Sequence, residues 1–213
     1  MEKIAVVDYG MSNLHSVASA LRAVTTDQQI VQICQRPEDI DNADRVVFPG
    51  QGAAADCMQQ IEASGLVTAL HRAACEKPFL GICMGMQVLM QRSDENGGTD
   101  CLGLFKGSVK QFSPATLTQD APLKVPHMGW NQIRQTLDHP VWRGIKQDSF
   151  FYFVHSYYVA LADSSQQAGC THYGIDFTSV LAHDFVFALQ CHPEKSADNG
   201  LQLLTNFLNW SHN

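Results

Sequence analysis

Apolar positions in this chain come in short runs, and the polar stretches between them carry apolar residues at helical spacing. Residues 3–8 hold the run Ile4-Ala5-Val6-Val7, the pattern of a buried strand. Leu14, Val17, Ala18, Leu21 and Val24 then recur along one helix face, with Ser12 placed to cap it. Residues 29–34 and 45–48 read as further strands, and residues 53–63 and 66–75 as helices parted by Ser64-Gly65. Residues 79–82 supply a central strand. Such alternation predicts a parallel sheet with helices on both faces, whose reactive groups belong at the carboxyl ends of the strands.

The second half changes character. Residues 107–112, 124–134, 151–158 and 178–183 read as hairpin-type strands, residues 185–191 as one more strand, and residues 198–210 as a closing helix. The expected fold is α/β: an open, mostly parallel twisted sheet flanked by helices, with an antiparallel extension. No linker-like tract interrupts it, so a single domain over residues 1–213 is expected.

Chemistry concentrates where the central strand ends. Gly81-Ile82-Cys83-Met84-Gly85 frames a cysteine with glycines two residues to either side, and Met84 to Met90 follows at helical spacing. That framing permits a sharp strand-to-helix elbow presenting the thiol at a helix start. Free N–H groups and the helix dipole there favour a thiolate and can hold an oxyanion. A buried cysteine in a tight turn is the plain alternative. Downstream, His192-Pro193-Glu194 closes the strand of residues 185–191. Histidine can take a thiol's proton and return it, and a carboxylate can orient the ring. In extended chain His192 and Glu194 face one way while Pro193 points away.

These two motifs together resemble the signature pair of the class I, triad-type glutamine amidotransferases, a flavodoxin-like family. The Pro49-Gly50-Gln51-Gly52 loop is similar to the family's oxyanion loop. Where many members read G-x-C-x-G-H-Q, Met86 replaces the histidine. That variant resembles one branch, the glutaminase subunits of imidazole glycerol phosphate synthase in histidine biosynthesis. The stretches at residues 8–14, 126–131 and 151–158 fit the same branch, so the resemblance runs from residue 3 to about residue 210.

The resemblance implies hydrolysis of L-glutamine through a thioester on Cys83, with His192 as acid and base and Glu194 orienting it. Backbone N–H groups of Met84 and of the Gly50-Gln51 loop form the oxyanion hole. Gly52 and Gln87 hold the amino acid end of the substrate; Gln87 lies one helical turn past Cys83. No metal and no cofactor is implied. The ammonia passes to a separate (β/α)8 cyclase subunit, which makes imidazole glycerol phosphate and an aminoimidazole ribotide. This chain is too short to contain that barrel of about 250 residues. Asn13, Met128 and Trp130 are the residues expected to contact it. Gln51 stands where many members carry an apolar residue, which bears on how the loop switches.

Composition narrows the alternatives. The formal net charge of −7 argues against nucleic acid or anionic membranes as partners. No apolar stretch is long enough to span a bilayer, and the first thirty residues lack the order of a signal peptide. Seven cysteines without a Cys-x-x-Cys pair exclude a fully paired disulfide framework and fit a reducing cytoplasm. A stand-alone cysteine hydrolase shares the elbow but not the stretch at residues 126–131. A scaffold without chemistry would not require Cys83, His192 and Glu194 together. Cys191, His192 and Glu194 are too few for a closed zinc site.

Overall fold

The computed structural model describes residues 1–11, 14–113 and 124–211. Its first half is strand and helix in turn: β1 (Glu2–Val7), α1 (Leu14–Val24), β2 (Gln29–Cys34), α2 (Pro37–Asp41), β3 (Arg45–Gly50), α3 (Ala54–Ala63), α4 (Val67–Glu76) and β4 (Phe79–Cys83). After the one-turn α5 (Met84–Gln87) come β5 (Met90–Ser93), β6 (Thr99–Asp100), β7 (Phe105–Gln111), β8 (His127–Gln135), β9 (Ser149–His155) and β10 (Tyr157–Leu161). The chain closes with β11 (Gln167–Tyr173), β12 (Ile175–His183), β13 (Val186–Leu189) and α6 (Ala197–Asn209).

The sheet is open and mixed. Its order is β2-β1-β3-β4-β13-β12-β10-β7-β5-β6, and β11, β8 and β9 branch from β12. The five strands from β2 to β13 are parallel, and the antiparallel part begins at the β13–β12 pair. The last strand, β13, thus returns to pair with β4 in the middle. That crossover brings the chain's end to the strand carrying Cys83.

Alternation along the central strands builds two cores. Ile4, Val6, Leu80, Ile82, Phe187 and Leu189 face α1 and α6, packing with Val17, Leu21, Leu203 and Phe207. Ala5, Val7, Phe48, Phe79 and Ala188 face the other way, against Cys57, Ile61, Leu70 and Ala73 of α3 and α4. A one-residue slip would exchange the two sets, so the registry of β4 is fixed by both cores. Buried Arg45, at the start of β3, ties the sheet to α6: it pairs with Glu2 at 2.6 Å and donates to the carbonyls of Phe207 and Trp210. A cation there complements the C-terminal end of α6.

The structure departs from the sequence reading in three respects. The helix expected to run on to Met90 stops at Gln87, because the backbone of Val88, Leu89 and Met90 pairs instead with residues 102–105. The strand expected over residues 151–158 is two strands, broken at Ser156, with different neighbours. The short α2 and strands β5, β6 and β11 have no counterpart in that reading. Ser12, the expected cap of α1, lies outside the described residues.

Candidate active site

Cys83 ends β4 with φ +56° and ψ −110°, a conformation that costs a non-glycine residue energy and persists only where the surroundings impose it. The surroundings are tight. A Cβ on Gly85 would meet the Phe48 carbonyl oxygen at 1.8 Å, and one on Gly81 would meet the Ala188 side chain at 2.9 Å. The elbow therefore sits directly on β3 and β13, and only glycine allows that approach. Gly50, at the end of β3, is the ladder partner of Cys83, which places the Gly50–Gly52 loop beside the sulfur.

His192 follows β13 and is anchored by its N–H to the Tyr152 carbonyl at 2.9 Å. Its Nδ1 donates to Glu194 Oε1 at 2.8 Å, and the Glu194 side chain is only 1% exposed. The pairing is as expected, but its backbone is not extended. Residues Pro193–Lys195 form a 3-10 turn, and Pro193 is buried. Ser196 Oγ ties the turn down by donating to the His192 carbonyl at 2.6 Å.

Burial alone would disfavour a charged His192. Hydrogen bonding and charge from Cys83 and Glu194 outweigh it and push its pKa up to about 10. The ring's Nε2 is buried and has no well-aligned hydrogen bond among the described residues, although the Cys83 sulfur is near enough to act on its charge. The imidazolium, not a helix dipole, is thus the positive group beside the thiol: α5 is a single turn of four residues, too short to sum many peptide dipoles. Burial pushes the thiols of Cys34, Cys57 and Cys101 up to about 11 and raises that of Cys191 well above its ordinary value, so they remain protonated at neutral pH.

A cleft of about 410 Å³ opens over Cys83 and His192, lined also by Gln51, Gly52, Met84 and Gln87. A nucleophile, a base with its orienting carboxylate and a wall of polar groups suit acyl transfer. The family model "Glutamine amidotransferase class-I" matches residues 5–210. The chain belongs to the class I glutamine amidotransferases. It is accordingly an enzyme, as the sequence resemblance implies.

Among curated relatives, the imidazole glycerol phosphate synthase subunit HisH of Hydrogenovibrio crunogenus is 53% identical over 208 residues, covering 98% of this chain and 96% of that protein. The protein of the same name from Nitrosomonas europaea is 51% identical over 213 residues, covering 99% and 100%. The fold also matches solved structures: PurLQS from Thermotoga maritima at a TM-score of 0.72 and 16% identity, covering 98% of each chain. A solved glutamine amidotransferase matches at a TM-score of 0.71 and 13% identity, covering 96% of this chain and 97% of that one.

In this amidotransferase the remaining expected site residues fall as follows. Gly52 has φ +94°, and Met84 opens α5 directly after the sulfur. The Gln51 N–H does not face the cleft; it donates to the Met11 carbonyl at 3.0 Å. Gln87 is buried, its Nε2 donating to the Tyr157 carbonyl at 3.1 Å and to Gln190 Oε1 at 2.9 Å. Its Oε1 is buried without a partner among the described residues. Met128 and Trp130 stand on one face of β8, 62% and 52% exposed; Asn13 lies outside the described residues. Sequence reasoning missed Glu95, Ser156, Tyr157 and Lys195 in the cleft wall and Gln190 behind Cys83. Glu95 sits in a stretch with no periodic pattern, and only the break between β9 and β10 brings Ser156 and Tyr157 to the site. Gln190 carried a legible signal: it lies two residues before His192 at the same strand end.

Proposed function

We propose that this chain hydrolyses L-glutamine to glutamate and ammonia as the glutaminase subunit of an imidazole glycerol phosphate synthase, and passes the ammonia to a separate cyclase subunit. The observation that carries the proposal is the Cys83–His192–Glu194 constellation beneath the cleft. Half-identity over the full length to proteins named as that subunit supports the pathway assignment. One sheet runs through both halves of the chain, which supports a single domain.

The Cys83 thiolate attacks the carboxamide carbon, and the oxyanion is received by the Met84 N–H. His192 gives its Nε2 proton to the departing nitrogen; the C–N bond breaks, ammonia leaves, and a γ-glutamyl thioester remains on Cys83. His192 then takes a proton from water, whose oxygen attacks the thioester carbon. The C–S bond breaks, glutamate leaves, and the thiolate–imidazolium pair is restored. Glu194 holds Nδ1 throughout. Reorientation of the Gly50–Gln51 peptide, releasing Met11, adds a second oxyanion donor; one such donor is worth roughly 10²–10³ in rate. That makes the loop the natural element for the cyclase to gate.

At the amino acid end, Gln87 Oε1, which has no partner among the described residues, accepts an N–H of the substrate. The Glu95 carboxylate, which also accepts from the Ala54 N–H at 2.7 Å, faces the α-ammonium across the cleft. Gly52 leaves room for the backbone to approach. The cyclase docks on the band formed by Met128, Trp130 and Phe150. Val154, the ladder partner of Met128, lines the cleft, so the band reaches its mouth.

Glutamate release from glutamine tests the proposal, measured for the chain alone and with a cognate cyclase holding its nucleotide ligand, each beside Cys83→Ala. Strong stimulation by the liganded cyclase, lost in the alanine variant, is expected. Brisk turnover without partner would mean a stand-alone hydrolase, and no release in either setting would sink the mechanism.

A further inference from the structure

Gln190 is fully buried, one strand over from Cys83, and takes no part in the chemistry described above. Its Nε2 lies 3.8 Å from the Cys83 sulfur. We propose that Gln190 is a positioning residue for the nucleophile, an amide held in one orientation so that its N–H points at the sulfur. The inference rests on the reading of Cys83 as the nucleophile and goes beyond it.

The orientation follows from what each partner can do. The Tyr157 carbonyl only accepts, so the Gln87 atom 3.1 Å from it is the amide nitrogen. That nitrogen's second hydrogen meets Gln190 at 2.9 Å, so the Gln190 atom there is the carbonyl oxygen. The other end of the Gln190 amide, facing Cys83, is therefore the donor. A flipped amide would set two nitrogens against each other in a buried site.

The same carbonyl of Tyr157 anchors a second string. It accepts from His155 Nδ1 at 2.7 Å, which leaves His155 Nε2 to accept from His127 Nδ1 at 2.9 Å. His127 Nε2 in turn accepts from Asn131 Nδ2 at 3.2 Å, and Asn131 also donates to the His172 carbonyl at 2.9 Å. Carbonyls that can only accept fix the direction at both ends of this string, and the two neutral imidazoles carry it between them. The Tyr157 carbonyl is thereby clamped from two sides, and Gln87 and Gln190 inherit its position. An N–H aimed at sulfur stabilises the thiolate over the thiol and restricts the rotation of the side chain. Both effects act on the attack step rather than on glutamine binding.

Two variants test this. Gln190→Met removes donor and acceptor at similar length; Gln190→Glu keeps an acceptor for Gln87 and replaces the donor with oxygen. In complex with the liganded cyclase, each should lower kcat roughly tenfold or more, the usual effect of losing a hydrogen bond to a charged group, with KM within about twofold in Gln190→Glu, which keeps the acceptor that holds the substrate-binding Gln87. In the chain alone, iodoacetamide should alkylate Cys83 more slowly by a similar factor relative to exposed Cys75, followed site by site by mass spectrometry. A merely structural role predicts the opposite: loosened packing would speed labelling of buried Cys34, Cys57 and Cys191. If Gln190→Met does not fold, the glutamate variant decides. Variants with wild-type kcat and wild-type Cys83 labelling, or with a raised KM at unchanged kcat, would overturn the proposal. Glutamine hydrolysis surviving in Cys83→Ala would instead remove the reading it rests on.

Discussion

Acid should destabilise this fold through two histidines that the active site does not consume. His127 and His155 are buried and joined by a 2.9 Å hydrogen bond among Phe112, Phe153, Tyr173 and Phe177. Burial holds His127 down to about 4 and His155 down to about 3, against an ordinary value of 6.5. A base whose folded pKa is depressed leaves stability intact above its unfolded pKa and removes it as pH falls. About pH 5 lies roughly 1.5 below the unfolded value, so each unfolded imidazole gains about 2 kcal/mol by protonation that the folded one forgoes. The pair together should cost the fold about 4 kcal/mol between about pH 7.5 and about pH 5. His192 runs the other way: its raised pKa contributes fully below 6.5 and is lost as pH rises through about 10. The assay is urea unfolding at both pH values for wild type and for His127→Gln/His155→Gln, which keeps polar side chains but cannot titrate. His192 is common to both proteins and cancels in the comparison. Wild type should lose about 4 kcal/mol more than the double variant on acidification. Equal losses would refute the neutral buried pair.

Three further outcomes follow from the elbow, from the tie between β3 and α6, and from the exposed face of β8. Gly85→Ala should lower stability by about 3 kcal/mol or more and abolish glutaminase activity, because its Cβ has only the Phe48 carbonyl to displace; thermal melts and glutamate release check both. Arg45→Met should cost about 2 to 3 kcal/mol in urea unfolding, since it removes the cation paired with Glu2 and the donor to two carbonyls at the end of α6; a loss under about 0.5 kcal/mol would show that site to be solvated. Trp130→Ala should weaken cyclase binding by about 2 kcal/mol in calorimetry while leaving the melting temperature of the free chain nearly unchanged, given its exposure.

What the sequence determined by itself was local in origin or repeated in period. The strands and longer helices to residue 83, the glycines framing Cys83 and the pairing of His192 with Glu194 all follow from residues within a few positions of one another. That both faces of the central strands would be covered was legible too, because their apolar runs leave neither face polar. Tertiary structure decided what depends on a distant competitor. Val88 to Met90 suit helix or strand equally, and the neighbouring backbone of residues 102–105 took them for pairing. The break at Ser156 arises because β9 and β10 join different neighbours, a choice invisible in an unbroken aromatic run. The charge beside Cys83 also came from elsewhere: a one-turn α5 has little dipole, and the return of β13 beside β4 sets the His192 imidazolium there instead. Gln190 is the sharpest case. Its residue type was plain in the chain, but its direction is set by Gln87 and by the Tyr157 carbonyl, and those meet it only through the fold.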